Sequence, residues 1–229
     1  MRLLDLFCGA GGAAAGYVRA GFTVVGVDHK PQPRYLLSGA TEFVQADALE
    51  YLAEHGREFD AIHASPPCQA YSRCSNMPWA KDHPDLLPAT LDALEAVGVP
   101  WVVENVPGAP FHGRQVVELC GTMFGLGTRR HRLFAASFFL FGCTNPCRHR
   151  KGDLTIAGNR FCVLGEPVQS YACSDGSTRH RNRLVTSAIA GVAMGVDWMT
   201  RASLSQAIPP AYTMFLGRQL ADAVRAAAG

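Results

Sequence analysis

The first 110 residues alternate short apolar runs with helix-like segments, and this alternation limits the possible folds more than any other feature. Strand-like runs occupy residues 2–7, 23–28, 42–45, 61–65 and 99–104. Segments with helical periodicity occupy residues 13–20, 48–55 and 87–96. Strands that alternate with helices predict βαβ units, and therefore an α/β fold built on a parallel sheet.

The second half of the chain has a weaker pattern. Residues 114–125 predict a helix with a loop, residues 133–141 a further strand, and residues 214–227 a closing helix. A regular sequence pattern also returns at residues 184–194. Between residues 142 and 182, Gly, Cys, Asn, Asp, Ser and Arg occur together without periodicity, so we predict a small irregular insert there.

Length and composition fit one compact domain. The chain has 229 residues, of which 48% are hydrophobic, and this allows a sizeable core. No apolar run approaches the roughly 18 to 20 residues of a membrane span, and the first residues lack a signal-peptide layout. We therefore expect a cytoplasmic protein with no membrane partner. In that compartment the eight cysteines favour reduced thiols, catalytic groups or metal ligands over disulfides.

Charge is distributed unevenly along the chain. Residues 129–183 contain ten Lys or Arg and three Asp or Glu, which gives a net charge of +7, while the rest of the chain carries −5. A basic face on an acidic body is typical of a protein that binds a polyanion such as nucleic acid. A solvated basic loop is the equally weighted alternative.

A glycine-rich turn from Asp5 to Gly12 follows the first predicted strand and precedes a helix. Glycines let a backbone approach a ligand, and a helix N-terminus offers unpaired N–H groups. The spacing differs from the GxGxxG of dinucleotide sites, which argues against NAD, and a purely structural turn stays open. Asp28 and Asp47 end or follow the next two strands, where they could hold ribose hydroxyls and an adenine amino group, or simply cap helices. Together these features predict a nucleoside pocket.

A cysteine and a carboxyl group follow two later strands. Cys68 lies between prolines and Gln69 after the fourth predicted strand, and Glu104 ends the fifth. The carboxyl ends of such strands meet at the edge where open α/β sheets place their sites, so a nucleophile and an acid are expected together. A buried structural cysteine is the alternative. Arg130 and Arg132 point the same way if their segment is extended.

These segments together resemble the cytosine-5 DNA methyltransferase family. The similarity rests on DLFCGAGG at 5–12, PPCQ at 66–69, ENV at 104–106 and RRHR at 129–132, and it runs from residue 2 to about residue 134. The resemblance implies a class I methyltransferase (Rossmann-like) α/β fold, with a mostly parallel seven-stranded sheet and helices on both faces. It also implies S-adenosylmethionine as cofactor, DNA as partner and a target cytosine that is flipped out of the duplex.

The resemblance also assigns roles to individual residues. Cys68 would attack cytosine carbon 6, Glu104 would hydrogen-bond or protonate nitrogen 3, Arg132 would contact the carbonyl oxygen, and Arg130 would steady the site. The implied cofactor-binding residues are Asp5, Phe7, Gly9, Ala10, Gly11, Gly12, Asp28, His29, Asp47, Ala48 and Pro66. The implied DNA-contacting residues are Pro67, Gln69, Ser72, Arg73, Asn105 and Val106.

The chain departs from the family pattern at several positions. Asp28 replaces the usual Glu, Thr128 replaces the usual Gln, and the closing segment from Gln206 lacks the family's Asn, for which Tyr212 or Thr213 is a hypothetical substitute. The target-recognition region is short, which predicts few base contacts and a brief or relaxed target sequence. Four cysteines in it, with two histidines nearby, could hold zinc, but their spacing is irregular, so no metal is predicted. These residues are Cys143, Cys147, Cys162, Cys173, His149 and His180.

We therefore predict a monomeric DNA cytosine-5 methyltransferase of a bacterium or bacteriophage, with a cognate restriction nuclease as a candidate partner. Residues 1–134 would form the catalytic core, 135–182 the target-recognition insert, and 183–229 the segment that completes the core. Two alternatives stay open. One is an RNA cytosine-5 methyltransferase, as some family members are, and the other is a DNA-binding relative without catalysis, against which the intact Cys68, Glu104, Arg130 and Arg132 argue.

Overall fold

A computed structural model of the chain describes residues 1–68, 71, 85–157, 160–163, 169–172, 178–181 and 185–229, with only the backbone for those from 156 to 181. Gln69, Ser72, Arg73 and Cys173, which the sequence proposes as ligand or metal contacts, lie outside the described residues. Within the described part, no helix has the length and apolar character needed to cross a membrane.

The described strands fall into a regular first half and a second half of shorter strands. They are β1 (Arg2–Leu6), β2 (Thr23–Asp28), β3 (Glu42–Gln45), β4 (Ala61–Ala64), β5 (Trp101–Asn105), β6 (Val117–Leu119), β7 (Thr128–Arg129), β8 (Arg132–Ala136), β9 (Leu154–Ala157), β10 (Arg160–Val163), β11 (Gln169–Ala172) and β12 (Thr178–Arg181). The helices are α1 (Gly12–Arg19), α2 (Ala48–His55), α3 (Leu87–Val97), α4 (Ser187–Met194), α5 (Arg201–Gln206) and α6 (Pro210–Ala228).

Seven strands form the main sheet in the order β3-β2-β1-β4-β5-β8-β6. The first five run parallel, and β8 is antiparallel to both of its neighbours, β5 and β6. The predicted mostly parallel, seven-stranded sheet is therefore confirmed. The chain builds outward from β1 to β3 and then returns to β4, so the strand order reverses between β1 and β4, where α/β sheets open a crevice for ligands.

Helices cover both faces of this sheet, as predicted. On one face α1 and α6 pack around the fully buried Tyr17, Phe134 and Leu216. On the other face α2 and α3 bury Leu52 and Leu94 against the sheet, together with strand residues. Each fully buried large apolar side chain contributes roughly 1.5 to 3 kcal/mol of transfer free energy, so the two layers together hold the strand ends in place.

The contact between α1 and α6 depends on a small residue. A Cβ atom on Gly16 would lie 2.0 Å from Thr213 Oγ1 and 2.2 Å from the backbone oxygen of Pro210. The two helices can therefore approach this closely only because position 16 has no side chain. The approach places the start of α6 directly against the helix that follows the glycine-rich turn.

Two predicted elements in the second half are wrong. Residues 114–125 do not form a helix: they form β6 and a 3-10 turn at Gly121–Phe124. In β6, Val117 and Leu119 are buried and Glu118 is exposed, which is the two-residue period of a strand paired on one side with β8. The strand expected at 133–141 ends at Ala136, after which Phe139 and Phe141 are exposed.

The segment predicted to be irregular contains short strands. β9 and β10 pair antiparallel, and β9 also joins β7 to make a three-stranded sheet, while β11 and β12 form a separate hairpin. A third apolar cluster connects Leu154 of β9 with residues of α4 and α5, among them Met194 and Leu204. The short strands β7, β9 and β10 and the helices α4 and α5 therefore form a unit separate from the main sheet.

Candidate active site at the carboxyl edge of the sheet

Cys68 follows β4 at the carboxyl edge of the sheet, where the strand order reverses. Its loop is fixed to the next strand because Asn105 at the end of β5 donates a hydrogen bond from Nδ2 to the backbone oxygen of Pro66, at 3.3 Å. The Asn105 Oδ1 atom accepts a second bond from the backbone N–H of Val106, at 2.8 Å. Asn105 therefore holds the cysteine loop beside the end of β5.

A buried ion pair lies next to Cys68. Arg132 on β8 and Glu104 on β5 are joined by a distance of 2.7 Å between Nε and Oε1, and their side chains are only 13% and 8% exposed. Burial raises the pKa of the Glu104 carboxyl above its ordinary value, while Arg132 and Arg130 oppose that shift. The site therefore contains a carboxyl group that takes up a proton more readily than one in water.

Arg130 is buried more deeply than Arg132. Its Nη2 atom donates to the backbone oxygen of Ser205 at 2.9 Å, and its own backbone oxygen accepts from the Tyr212 hydroxyl at 2.5 Å. Burial is the main cause that lowers the Arg130 pKa to about 9, and the positive charge of Arg132 adds to it. Its Nε–H is buried and has no hydrogen-bond partner among the described residues. The C-terminal segment therefore holds this guanidinium in the site.

The charged groups of Glu104, Arg132 and Arg130 all shift the pKa of the Cys68 thiol. Burial raises its pKa, the Glu104 carboxylate raises it further, and the positive charges of Arg132 and Arg130 lower it. The structure thus brings together the four residues that the sequence predicts as catalytic. A thiol with two guanidinium groups and a protonatable carboxyl beside it can act as a nucleophile and as a proton donor or acceptor within one site.

The glycine-rich turn lies at the end of the adjacent strand β1. Phe7 has a φ of 56° and Gly9 a φ of 50°, both in the left-handed region, which is uncommon for a side chain as bulky as that of Phe. A Cβ atom on Gly9 would meet no atom within 4 Å, whereas one on Gly12 would lie 2.5 Å from the backbone oxygen of Ile208. Gly9 therefore borders open space, and Gly12 packs against the segment before α6.

The Asp28 carboxylate fixes this turn. It accepts a hydrogen bond from the Gly9 N–H at 3.0 Å and another from the Lys30 N–H at 2.9 Å, and the His29 ring lies 3.3 Å away. Asp28 is nearly buried at the end of β2, so it joins two strand ends at the crevice. Among the described residues, no side chain caps the N-terminus of α1, which starts at Gly12.

The two other acids of this region have structural partners. Asp47 caps α2, accepting hydrogen bonds from the N–H groups of Leu49 and Glu50 at 2.8 and 3.1 Å. Asp5 is fully buried beneath the turn and accepts a bond from the Tyr35 hydroxyl at 3.2 Å, and burial raises its pKa to about 8. Asp47 thus caps a helix, which was the alternative considered from the sequence. Its side chain is exposed, and its contact with adenine stays a prediction.

The C-terminal segment reaches the glycine-rich turn and the helix after it through Trp198, which sequence reasoning missed, and Thr213, which it proposed. The Trp198 indole N–H donates to the backbone oxygen of Ala10 at 2.8 Å, and the Thr213 hydroxyl donates to that of Ala13 at 2.8 Å. Where the family's Asn is missing, Tyr212 and Thr213 therefore supply hydrogen bonds to two different parts of the site. A single Trp gives no sequence signal for a contact 188 positions away.

The architecture is that of a class I methyltransferase, and solved structures share it. A Dnmt2 methyltransferase of S. pombe matches with a TM-score of 0.64 and 15% identity over 97% of this chain and 98% of that chain. The methyltransferase EhMeth of Entamoeba histolytica matches with a TM-score of 0.61 and 14% identity over 100% of this chain and 99% of that one. At this level of identity the similarity establishes the fold.

The sequence itself defines the family. Residues 1–118 match the family model of the C-5 cytosine-specific DNA methylases, which is more than half of the chain, so the chain belongs to this family. Members of the family use S-adenosylmethionine as methyl donor.

Two curated relatives are type II methyltransferases. M.FnuDI of Fusobacterium nucleatum is 32% identical over 80 residues, which are 34% of this chain and 23% of the relative. M.AplI of Arthrospira platensis is 26% identical over 162 residues, or 59% of this chain and 45% of the relative. The chain therefore spans less than half of the length of the curated relatives that it matches.

Proposed function

We propose that this chain transfers a methyl group from S-adenosylmethionine to carbon 5 of cytosine in DNA, through a covalent bond between Cys68 and carbon 6 of a flipped base. The observation that carries the proposal is the convergence of the Cys68 thiol, the buried Glu104–Arg132 pair and Arg130 at one sheet edge. Membership of the C-5 cytosine-specific DNA methylase family supports the same reaction.

The chemistry requires each of these groups. Carbon 5 of cytosine is a weak nucleophile, and addition of the Cys68 thiolate at carbon 6 turns the ring into an enamine whose carbon 5 can attack an electrophile. Glu104 holds a proton at nitrogen 3, because its raised pKa favours the protonated form as charge develops on the ring. Arg132 orients Glu104 through their ion pair and stabilises charge at the carbonyl oxygen. Once carbon 5 carries the methyl group, solvent water or hydroxide takes its proton, and the electron pair re-forms the double bond between carbons 5 and 6 as the bond from Cys68 to carbon 6 breaks. The proton at nitrogen 3 returns to Glu104, and Cys68 leaves as the thiolate.

The crevice beside β1 fits the methyl donor. When bound, S-adenosylmethionine supplies a methyl group on a sulfonium, which is electrophilic. Gly9 leaves open space where a side chain would otherwise stand, and the α1 N-terminus without a side-chain cap suits a carboxylate. Asp28 lies at the strand end where a ribose hydroxyl would be held, although its carboxylate already accepts two backbone bonds. We assign the nucleoside to this crevice and the methyl group to its border with Cys68.

The basic second half of the chain supports nucleic acid as the substrate. Residues 129–183 carry a net charge of +7, which favours a phosphate backbone. Base chemistry at carbon 6 requires an extruded base, because neither face of a stacked cytosine is accessible to a thiolate. The type II methyltransferase names of two relatives support a DNA substrate and a cognate restriction nuclease as partner.

The test is methyl transfer by the purified protein. Wild type, Cys68→Ala and Cys143→Ala are incubated with radiolabelled S-adenosylmethionine and either unmethylated genomic DNA or bulk tRNA, and the product DNA is sequenced after bisulfite treatment. Cys143 is the matched control because it is a free, half-buried cysteine outside the site. We expect label in DNA at cytosines of one short context, equal transfer by Cys143→Ala, and at least about a 1000-fold loss in Cys68→Ala.

Other outcomes contradict the proposal in distinct ways. Label in tRNA alone, dependent on Cys68, would change the substrate to RNA and keep the covalent chemistry. Full activity of Cys68→Ala would exclude the covalent mechanism. Cofactor binding without transfer to either nucleic acid would favour the DNA-binding relative without catalysis.

A further inference from the structure

Four sulfur and nitrogen ligands converge at one point outside the catalytic cluster. Cys120, His131, Cys147 and His149 each direct one atom to this point, and the four atoms lie within 4.8 Å of one another. The Cys147 Sγ atom is 3.0 Å from His149 Nε2 and 3.4 Å from His131 Nε2, and Cys120 Sγ is 3.5 Å from His149 Nε2. We propose that these four residues bind one zinc ion.

The distances are close to those of tetrahedral coordination. Zinc binds thiolate sulfur at about 2.3 Å and imidazole nitrogen at about 2.0 to 2.1 Å, so the ligand atoms of a tetrahedral site lie about 3.3 to 3.8 Å apart. The contacts of 3.4 and 3.5 Å fall in that range, and the contact of 3.0 Å between Cys147 Sγ and His149 Nε2 is about 0.3 Å below its lower limit. Cys147 and His149 are exposed and lie in a loop, so a small shift of their side chains accommodates the ion.

The ligand set selects the metal. Two thiolates and two imidazoles favour zinc over magnesium or calcium, which prefer oxygen ligands. Two thiolates also neutralise a divalent cation. Four protein ligands close the coordination sphere, which is typical of a structural rather than a catalytic zinc site. The Thr122 hydroxyl lies 3.5 Å from Cys120 Sγ and 3.7 Å from Cys147 Sγ, where it can orient both sulfurs.

The proposed ligands come from three separate parts of the chain. Cys120 follows β6, His131 lies between β7 and β8, and Cys147 and His149 belong to the loop that precedes β9. Weak sulfur–imidazole hydrogen bonds alone give little reason for such residues to meet. This set differs from the one considered from the sequence, since Cys143 is not part of the cluster and the side chains of Cys162 and His180 are not described.

His131 lies between Arg130 and Arg132 in the sequence. Zinc bound to His131 would therefore connect Cys120 and the loop before β9 to the segment that carries these two arginines. The metal would fix the peptide between those arginines and fasten the loop of residues 142–150 against it. This role does not depend on methyl transfer, because metal binding can be measured without any substrate. Failure of the zinc proposal and failure of the proposed function are therefore distinguishable.

The test measures metal content directly. Wild type, Cys143→Ala and the double variant Cys147→Ala/His149→Ala are purified in zinc-containing buffer, dialysed against metal-free buffer, and analysed by mass spectrometry of the elements. We expect about one zinc ion per chain in wild type and in Cys143→Ala, and below about 0.2 in the double variant. Both substituted side chains are exposed, so circular dichroism should show that the double variant folds.

Cobalt provides a second readout of the ligand set. Cobalt(II) added to the metal-free, reduced wild type should give the intense visible bands of tetrahedral coordination and a near-ultraviolet band from thiolate ligands, and the double variant should give neither. Substoichiometric zinc in wild type together with no tetrahedral cobalt spectrum would overturn the proposal. Retention of zinc by the folded double variant would overturn it as well.

Discussion

The two halves of the same sheet edge are built by different interactions. At the end with the glycine-rich turn, to which we assign the cofactor and which we call the cofactor end, backbone groups and small residues dominate. There Gly12 packs on Ile208, Gly16 packs on α6, and Trp198 holds Ala10. At the chemical end, charged side chains dominate, with Glu104 and Arg132 paired in a buried site. Close packing therefore holds the cofactor end together, and charge interactions hold the chemical end together. Substitutions at the cofactor end should mainly affect stability, and substitutions at the chemical end should mainly affect reaction rate.

The largest expected effect is on stability, from Gly16→Ala. The new Cβ atom would lie 2.2 Å from the backbone oxygen of Pro210, and since backbone cannot rotate away, α1 and α6 must separate. Such overpacking costs about 3 kcal/mol and should lower the Tm by about 10 °C, measured by thermal denaturation. Gly142→Ala is the control, because a Cβ there meets nothing within 4 Å. An unchanged Tm for Gly16→Ala would refute the close contact.

A mainly kinetic effect is expected from Glu104→Gln, which should reduce kcat about 100-fold and lower the Tm less than Gly16→Ala does, because the glutamine oxygen can still accept a hydrogen bond from Arg132 Nε. Because the Glu104 carboxylate raises the Cys68 pKa, its removal should also shift the acidic limb of the pH–rate profile, where the Cys68 thiol loses its proton, to lower pH. Glu95→Gln breaks an exposed ion pair of 2.6 Å with Arg114 and serves as control. A profile that does not move would show that Glu104 and Cys68 do not interact.

The sequence predicted the regular half of the fold well, because its signals are local. The bounds of β2, β3 and α2 agree with the prediction, since each is an apolar or amphipathic run bounded by turn residues or by the Asp47 cap. The neighbourhood of Cys68 and Glu104 was also predictable, since parallel strands bring the residues that end or follow them to one edge. The roles of Arg130 and Arg132 were predicted from the family resemblance, and these residues reach the same edge because β8 runs antiparallel to β5.

The remaining features depend on contacts that no local pattern encodes. β6 is only three residues long, and its identity as a strand depends on pairing with β8. Cys120 and His131 meet because β6 and β8 are neighbours in the sheet, with Leu119 opposite Arg132. Spacing along the chain therefore could not reveal the cluster of Cys120, His131, Cys147 and His149. The sequence grouped the four cysteines of residues 135–182, which include Cys143 and exclude Cys120.

Asp5 is an exception at the cofactor end, because it is a buried carboxyl without a cation partner among the described residues. Its pKa is raised from 3.8 to about 8 by burial, so the folded state keeps a proton that the unfolded state releases. Stability should therefore fall as the pH rises from about 4 to about 8 and then level off. Asp5→Asn removes this dependence and should stabilise the protein by on the order of 2 kcal/mol at pH 8, with little effect at pH 4.

The measurement for Asp5→Asn is the Tm between pH 4 and pH 9, where the difference from wild type should grow with pH. Asp222→Asn is a suitable control, because Asp222 is exposed and pairs with the nearby Arg225. A constant difference across this range would mean that Asp5 titrates in the folded protein as it does in water.

The smallest expected effects come from two hydrogen bonds of the C-terminal segment, one to the cofactor end and one to the chemical end. Removing each bond tests whether the two ends act independently. Trp198→Phe removes the bond to Ala10 at the glycine-rich turn, and Tyr212→Phe removes the bond to the backbone oxygen of Arg130. Each loss is worth about 1 kcal/mol, or about fivefold. We expect Trp198→Phe to raise the KM for S-adenosylmethionine at unchanged kcat, and Tyr212→Phe to lower kcat at unchanged KM. Each variant is the control for the other, and identical changes in both would mean that the segment acts as one rigid support instead of two independent contacts.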